Sequence, residues 1–148
     1  MKLSFRKTTM TAAVLCAASG LLTSASAQEG QRIRIRMGDH TVNATLNTSD
    51  AARDLVAMLP LTIRMRDHMR REKTGPLPGP LSDRTPGSAA YQMADLGFWR
   101  PGGNFVIFYR HDGLGIPSPG IVLLGKVDSN VEVFDIPGAV EVTVTLAN

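Results

Sequence analysis

Three segments of the chain alternate apolar and polar residues one by one, and this alternation most constrains the fold. It covers residues 32–37, 61–66 and 141–146. Successive side chains of a β-strand point to opposite faces of the sheet, so a period of two predicts strands that are buried on one face. Strand patterns also dominate the rest of the chain, without a regular strand-helix-strand rhythm. The sequence therefore predicts a mainly β domain, closed or nearly closed into a barrel.

The first 27 residues have the character of a secretory leader. The basic start consists of Lys2, Arg6 and Lys7. An apolar run follows over residues 10–22, and small residues end the segment at Ala27. The run is shorter than the roughly 20 residues that a membrane-spanning helix needs. We therefore predict a signal peptide over residues 1–27, cleavage after Ala27, no stable membrane anchor, and a periplasmic or secreted protein.

The composition of the remaining chain argues against two other interpretations. Three of the sixteen basic residues lie in the leader and none of the thirteen acidic ones do, so residues 28–148 carry thirteen of each. The high calculated pI is therefore no indication of nucleic-acid binding. The single cysteine, Cys16, also lies in the leader. About 120 residues without a disulfide must fold on an apolar core, which is enough for one domain over residues 28–148.

Shorter patterns place the other elements. Further strands are expected at residues 41–46, 94–99, 104–109 and 121–127. The sequence predicts one short helix that begins with a cap at Ser49 and ends before Pro60. It predicts a second short helix within residues 128–136. Glycine and proline make residues 75–90 and 111–120 loops.

The segment ADLGFWRPGGNFVIFYR, residues 94–110, contains five of the seven aromatic residues that follow the leader, and the only tryptophan of the chain. Within it, Phe105, Ile107 and Tyr109 share one strand face, while Val106 and Phe108 share the other. A strand that is apolar on both faces is usually covered on both. We therefore expect most of these aromatic residues to lie in a core. The part of the segment that remains a candidate binding surface is Phe98, Trp99 and the Pro-Gly-Gly turn.

The order of elements in the second half resembles the cyclophilins. ADLGFWRPGGNFVIFYR followed by PSPGIVLLGKVDSNVEVFDIPGAVEVTVTL matches a Gly-bearing strand, a Gly/Asn turn, an aromatic strand, a VxxGKV strand and a short helix. The whole predicted mature chain looks like the small bacterial cyclophilin-like proteins, which start with a hairpin and carry a helix ending in LP. The resemblance implies a closed cyclophilin-like β-barrel of about eight strands with two short helices.

The isomerase motif of true cyclophilins is missing. Their Phe-His-Arg strand supplies a guanidinium that acts on the prolyl amide, and Gln-Gly-Gly follows it, whereas this chain has MRREKTGPLPGPLSD there. The resemblance implies Asn104 in place of a Gln and Val106 in place of a pocket Phe. Arg70, Arg71 and Arg100 are in principle within reach of the site, but none lies in the motif. We favour a non-catalytic binding or accessory module, with a divergent peptidyl-prolyl isomerase as the alternative.

In the favoured interpretation, an apolar cleft takes a peptide or a small molecule. The candidate ligand-binding residues are Phe98, Trp99, Arg100, Asn104, Phe105 and Tyr109. A third interpretation places the aromatic residues in the core and assigns the function to an oligomeric interface. His40, His68 and His111 each stand beside an aspartate, but no two histidines have the spacing of metal ligands on a helix. We therefore expect no metal site and no cofactor.

Five arginines on the predicted strands admit two interpretations. They are Arg32, Arg34, Arg36, Arg64 and Arg66. If the first and third strands are close, they form a basic face that suits an acidic ligand or an anionic membrane surface. Alternatively, they form a solvated face that prevents edge aggregation. The balanced charge, and the absence of aromatic residues among the arginines, favour the second interpretation.

Overall fold

The computed structural model describes residues 30–148, and the predicted signal peptide lies outside them. The strands are β1 (Arg32–Met37), β2 (His40–Leu46), β3 (Leu61–His68), β4 (Glu72–Pro76), β5 (Asp95–Trp99), β6 (Asn104–Phe108), β7 (Val122–Val127) and β8 (Val140–Leu146). They form one closed barrel in the order β1-β2-β7-β5-β6-β4-β3-β8, and every neighbouring pair is antiparallel. The predicted mainly β barrel of eight strands is confirmed.

A single α-helix, α1 (Asp50–Met58), follows β2. The Ser49 hydroxyl accepts a hydrogen bond from the Ala52 N–H at 3.2 Å, as predicted for the cap. The second predicted helix is only a 3-10 turn, Val131–Phe134. Asn130 precedes it at φ 62°, a left-handed conformation that cannot continue into a longer right-handed helix. Among residues 30–148, no helix is long and apolar enough to cross a membrane.

Strand β4 corrects the sequence-based prediction of a loop over residues 75–90. Gly75 and Pro76 complete this strand, which pairs with β3 on one side and β6 on the other. A Cβ atom at Gly75 would lie 2.6 Å from the carbonyl oxygen of Arg64, so only glycine fits there. The turn between β3 and β4 contains Met69 at φ 54° and Arg70 at φ 53°. Because Gly75 and Pro76 belong to β4, the loop that was predicted from residue 75 begins only after Pro76.

Strand β6 separates two hydrophobic cores. Phe105 and Ile107 face the barrel interior together with the inward residues of the other strands, and Ala51, Ala52 and Leu55 of α1 pack against this core. The opposite face of β6 belongs to an outer core, which consists of Tyr91, Val106, Phe108, Ile116 and Ile121. Both faces of β6 are covered, as its two-sided apolar pattern predicts.

Lys73 of β4 points into the barrel and is fully buried. Its ammonium group lies 3.1 Å from Asp67 Oδ1, and it donates to the carbonyl oxygens of Ile136 and Gly138. The Tyr109 hydroxyl donates to the same Asp67 oxygen at 2.5 Å. Burial raises the pKa of Asp67, but the hydrogen bonds from Tyr109 and Lys73 lower it by more, so the carboxyl stays ionised and pairs with the ammonium.

The arginine-bearing strands β1 and β3 flank β8 on the barrel surface. Arg32 pairs with Asp128 at 3.6 Å, and Arg64 lies opposite Glu141 in the strand register. Arg34, Arg36, Arg64 and Arg66 are all exposed. The two strands are thus near each other but not adjacent.

Replacing Lys73 with methionine should lower the free energy of unfolding by about 3–5 kcal/mol, because Asp67 and two carbonyl groups lose a buried partner. The matched control is Lys126→Met, which removes an ammonium group that is 48% exposed and paired with Asp95. Its expected cost is below about 1 kcal/mol. Urea denaturation of both variants measures the difference, and equal losses would contradict the assigned role of Lys73.

Candidate functional site

A cleft of about 410 Å³ lies on the outer face of the barrel, between the β3–β4 hairpin and the outer core. Its apolar wall is formed by Trp99, Pro101, Phe108, Ile116, Pro117 and Ile121. Its polar wall is formed by Arg66, His68, Arg71, Glu72, Thr74 and Asn104. Met69, at the tip of the hairpin, lies at the rim with 54% of its surface exposed. A cleft with one apolar and one polar wall is typical of ligand sites.

Strand register places the polar side chains side by side. Arg66 lies opposite Thr74, and His68 lies opposite Glu72. On the other side of β4, Glu72 lies opposite Phe108 of β6. Residues two apart along a strand share a face, so Glu72 and Thr74 point outward while Lys73 between them points inward.

The apolar wall depends on close packing at Gly97. A Cβ atom at Gly97 would lie 2.5 Å from Ile121 Cγ1, so the missing side chain lets Ile121 approach β5. Ile121 is held by two backbone hydrogen bonds to Ser88, of 2.7 and 2.9 Å. Tyr91 stacks on Phe108 with the ring centroids 4.1 Å apart. The two loops that follow β4 and β6 therefore form a fixed wall rather than a loose cover.

A buried charge network joins the hairpin to the loop after β6. Arg71 donates from Nε to Glu72 Oε2 at 3.0 Å and from Nη1 to Asp112 Oδ2 at 3.1 Å. The Tyr91 hydroxyl donates to Asp112 Oδ1 at 3.0 Å. The guanidinium carbon of Arg71 lies 5.3 Å from the centroid of the Tyr91 ring. The network fixes the position of the Glu72 carboxyl group in the cleft.

Burial raises the pKa of Glu72 above its usual value, and the hydrogen bond from Arg71 offsets only part of that effect. Glu72 is 7% exposed. A carboxyl group with a raised pKa beside an apolar wall is able to accept a hydrogen bond from a ligand when ionised, or to donate one when protonated.

The candidate residues predicted from the sequence fall into two groups. Trp99 and Asn104 line the cleft, and so does Arg71. Phe98, Phe105 and Tyr109 lie inside the barrel core instead. The reason is strand geometry, because Phe98 and Trp99 are neighbours and point to opposite faces of β5.

Three further residues considered for the site do not line the cleft. Arg100 turns towards the loop after β4, where its guanidinium donates to the carbonyl oxygens of Ser82 and Thr85. Val106, expected from the resemblance to replace a pocket Phe, is buried in the outer core. Arg70 does not line the cleft either.

Sequence reasoning missed four of the polar residues of the cleft. They are Arg66, His68, Glu72 and Thr74. Arg66 was considered as part of a five-arginine strand face, either basic and ligand-binding or solvated, and the solvated face was favoured. Glu72 and Thr74 belong to the strand that no apolar pattern revealed. Within residues 30–148, no three His, Cys, Asp or Glu side chains form a group able to hold a metal ion.

Because the pKa of Glu72 is raised, we predict that this group makes the free energy of unfolding depend on pH. Glu72→Gln should remove that dependence. The folded protein binds a proton at Glu72 more readily than the unfolded chain does. The stabilisation from this group is therefore fully present below the ordinary value of 4.5 and is lost as the pH rises through the raised pKa. Relative to the original protein, the Gln variant should gain free energy of unfolding as the pH rises through this window.

Urea denaturation at steps from about pH 4 to about pH 8 measures that difference. Glu132→Gln removes the same charge from an exposed position and controls for the change in net charge. A constant offset between the Glu72→Gln variant and the original protein would report only the lost contact with Arg71, and would contradict the raised pKa.

Comparison with known proteins identifies the fold. The solution structure of the hypothetical protein AF2241 from Archaeoglobus fulgidus is similar with a TM-score of 0.60 at 15% identity, over 80% of this chain and 95% of that one. At this identity the likeness concerns the fold alone. No curated protein matches the chain significantly. The model of the family described as "Cyclophilin-like family" matches residues 35–145, well over half of the chain. The barrel and this match together show that the chain belongs to the cyclophilin-like family.

Proposed function

We propose that the protein is an exported, non-catalytic binding module whose cleft takes a peptide or a small ligand. The observation that carries the proposal is that one cleft is lined both by apolar residues, such as Trp99 and Ile121, and by polar residues, such as Glu72 and Thr74. The apolar wall would supply buried contact area, and the polar wall would orient the ligand.

Two features of the cleft support binding. Its volume, about 410 Å³, lies within the usual range of ligand sites, which is roughly 300–1,000 Å³. Its walls come from paired strands and from loops held by the Arg71 network, so little conformational entropy would be lost on binding. Export to the periplasm or medium, as proposed from the leader, would place the cleft where it meets extracytoplasmic peptides or small molecules.

Peptide binding is testable through the only tryptophan, because Trp99 lines the cleft. We expect a peptide selected from a phage-displayed random library to change the fluorescence of Trp99 in a saturable way. Met69→Asn should weaken that binding about fivefold, the equivalent of about 1 kcal/mol of lost apolar contact. Asparagine is well tolerated at the positive φ of this position, so the fold should be unaffected.

Met93→Asn is the matched control, since Met93 is 55% exposed and does not line the cleft. Equal effects of the two substitutions would place the peptide elsewhere on the barrel. Failure to select any peptide that changes Trp99 fluorescence would leave only small ligands, to be tested with a dye such as anilinonaphthalene sulfonate.

The second candidate function is peptidyl-prolyl isomerisation at the same cleft. One observation favours it: Arg66 is carried by a strand, lines the cleft and lies opposite Thr74. From the sequence, Arg70, Arg71 and Arg100 were considered for this role instead. In true cyclophilins the guanidinium is likewise carried by a strand. Donation from Arg66 to a prolyl amide would favour the pyramidal nitrogen of the rotated state.

An assay of cis–trans isomerisation on a chromogenic Ala-Ala-Pro-Phe peptide distinguishes the two functions. A binding module should leave the rate at background with micromolar protein. Acceleration that is lost in Arg66→Gln but kept in Arg84→Gln, an exposed position outside the cleft, would make the protein an isomerase and overturn the first proposal.

A further inference from the structure

The cleft continues into a second depression along the barrel surface. This depression has a volume of about 200 Å³, and Arg64, Pro76 and Ala139 are among the residues that line it. It shares Arg66, Thr74 and Asn104 with the cleft. The two are therefore adjacent, with Ile116 and Ile121 lining the cleft and Arg64 lining the depression, and we call them together the groove.

The second half of the groove is basic. Arg64 and Arg66 lie two residues apart on the outward face of β3, and both are exposed. Among residues 30–148, no carboxylate oxygen lies within 4.0 Å of either guanidinium group, although Glu141 is the register partner of Arg64. The positive charge at this end of the groove is therefore open to a ligand.

The spacing of these two arginines matches an extended peptide. Same-facing residues on an extended chain repeat about every 6.8 Å, which is the spacing of Arg64 and Arg66 along their own strand. Acidic residues two apart on a bound extended peptide would therefore face the two guanidinium groups in turn. The amide and hydroxyl of Asn104 and Thr74, at the middle of the groove, suit hydrogen bonds to its backbone.

We propose that the groove recognises an extended acidic peptide. Its apolar residues occupy the cleft against Trp99 and Ile121, and two acidic residues in alternate positions pair with Arg66 and Arg64. The inference rests on the proposed function, since it names the ligand class of the same site. A lipid surface fits less well, because a flat anionic layer would pair with the arginines but leave the concave cleft beside Trp99 and Ile121 unfilled.

A matched peptide pair tests the inference. Both peptides carry the same apolar half, Phe-Pro-Leu, followed by Gly-Asp-Gly-Asp in one and Gly-Asn-Gly-Asn in the other; each is also made with the halves in reverse order. Fluorescence anisotropy of the labelled peptides gives the dissociation constants. In at least one of the two orders, we expect the Asp peptide to bind about three- to tenfold more tightly at low salt, and its advantage to shrink as salt is added.

The double variant Arg64→Gln, Arg66→Gln should remove the advantage of the Asp peptide over the Asn peptide, so that the two dissociation constants differ by less than about twofold. Arg84→Gln is the charge control, because Arg84 is exposed and lies outside the groove. Equal binding of the two peptides would overturn this inference and leave the proposed binding function intact. If neither the Asp peptide nor the Asn peptide binds, the result would contradict both this inference and the proposed binding function.

Two other results would also overturn it. An advantage of the Asp peptide that persists in the double variant would place the acidic half elsewhere on the surface. The second result combines two observations. The two peptides bind equally, and phosphatidylglycerol vesicles displace the Asp peptide whereas phosphatidylcholine vesicles do not. In that case the arginines would contact anionic lipid rather than a peptide.

Discussion

The rest of the structure depends on a strand that is apolar on both faces. β6 turns Phe105 and Ile107 into the barrel and Val106 and Phe108 outward, and both sets are buried. A barrel interior covers only one of these faces, so the other requires a second layer of apolar side chains. The loops after β4 and β6 supply this layer through Tyr91, Ile116 and Ile121. Phe108, Ile116 and Ile121 of this outer core also line the cleft, so part of its apolar wall follows from the composition of β6.

Strand β4 joins this site to the barrel interior. Its alternation sends Glu72 and Thr74 into the cleft and Lys73 into the barrel, so adjacent residues take part in two separate polar networks. One network holds Asp67 and Tyr109 inside, and the other holds Arg71 and Asp112 outside. Partly buried charges of this kind contribute little net stability, but leaving one without its partner is costly. We infer that these two networks fix the register of β4, because this strand has little apolar surface through which packing could fix it.

The sequence predicted the strands that are buried on one face only. It did not predict the strand in which polar residues are buried. Period-two alternation identified β1, β3 and β8, and the Ser49 cap identified α1. β4 has the sequence EKTGP, and its turn uses Met69 and Arg70 at positive φ instead of the glycine or asparagine that marks such turns. Nothing in that pattern predicts a central strand. Its pairing with β6 joins residues about 30 positions apart, which local patterns do not encode.

The site residues were predictable to a similar degree. Asn104 and Trp99 line the cleft, but Phe98 was grouped with Trp99 although neighbours on a strand point to opposite faces. The same alternation that divided residues 104–109 into two faces would have separated this pair. Arg66 was hidden for another reason: only pairing of β3 with β4 brings its exposed side chain to the cleft.

Net charge was a poor guide to the surface, because charge balance over a chain says nothing about where the charges pair. Seven carboxyl groups pair with basic residues other than Arg64 and Arg66: Asp50, Asp67, Glu72, Asp95, Asp112, Asp128 and Asp135. Arg64 and Arg66 have no such partner among residues 30–148, although basic and acidic residues are equal in number over residues 28–148. A few unpaired charges beside a low-dielectric wall produce a stronger local field than the same charges on an open surface. A domain with balanced charge can therefore carry a locally basic groove.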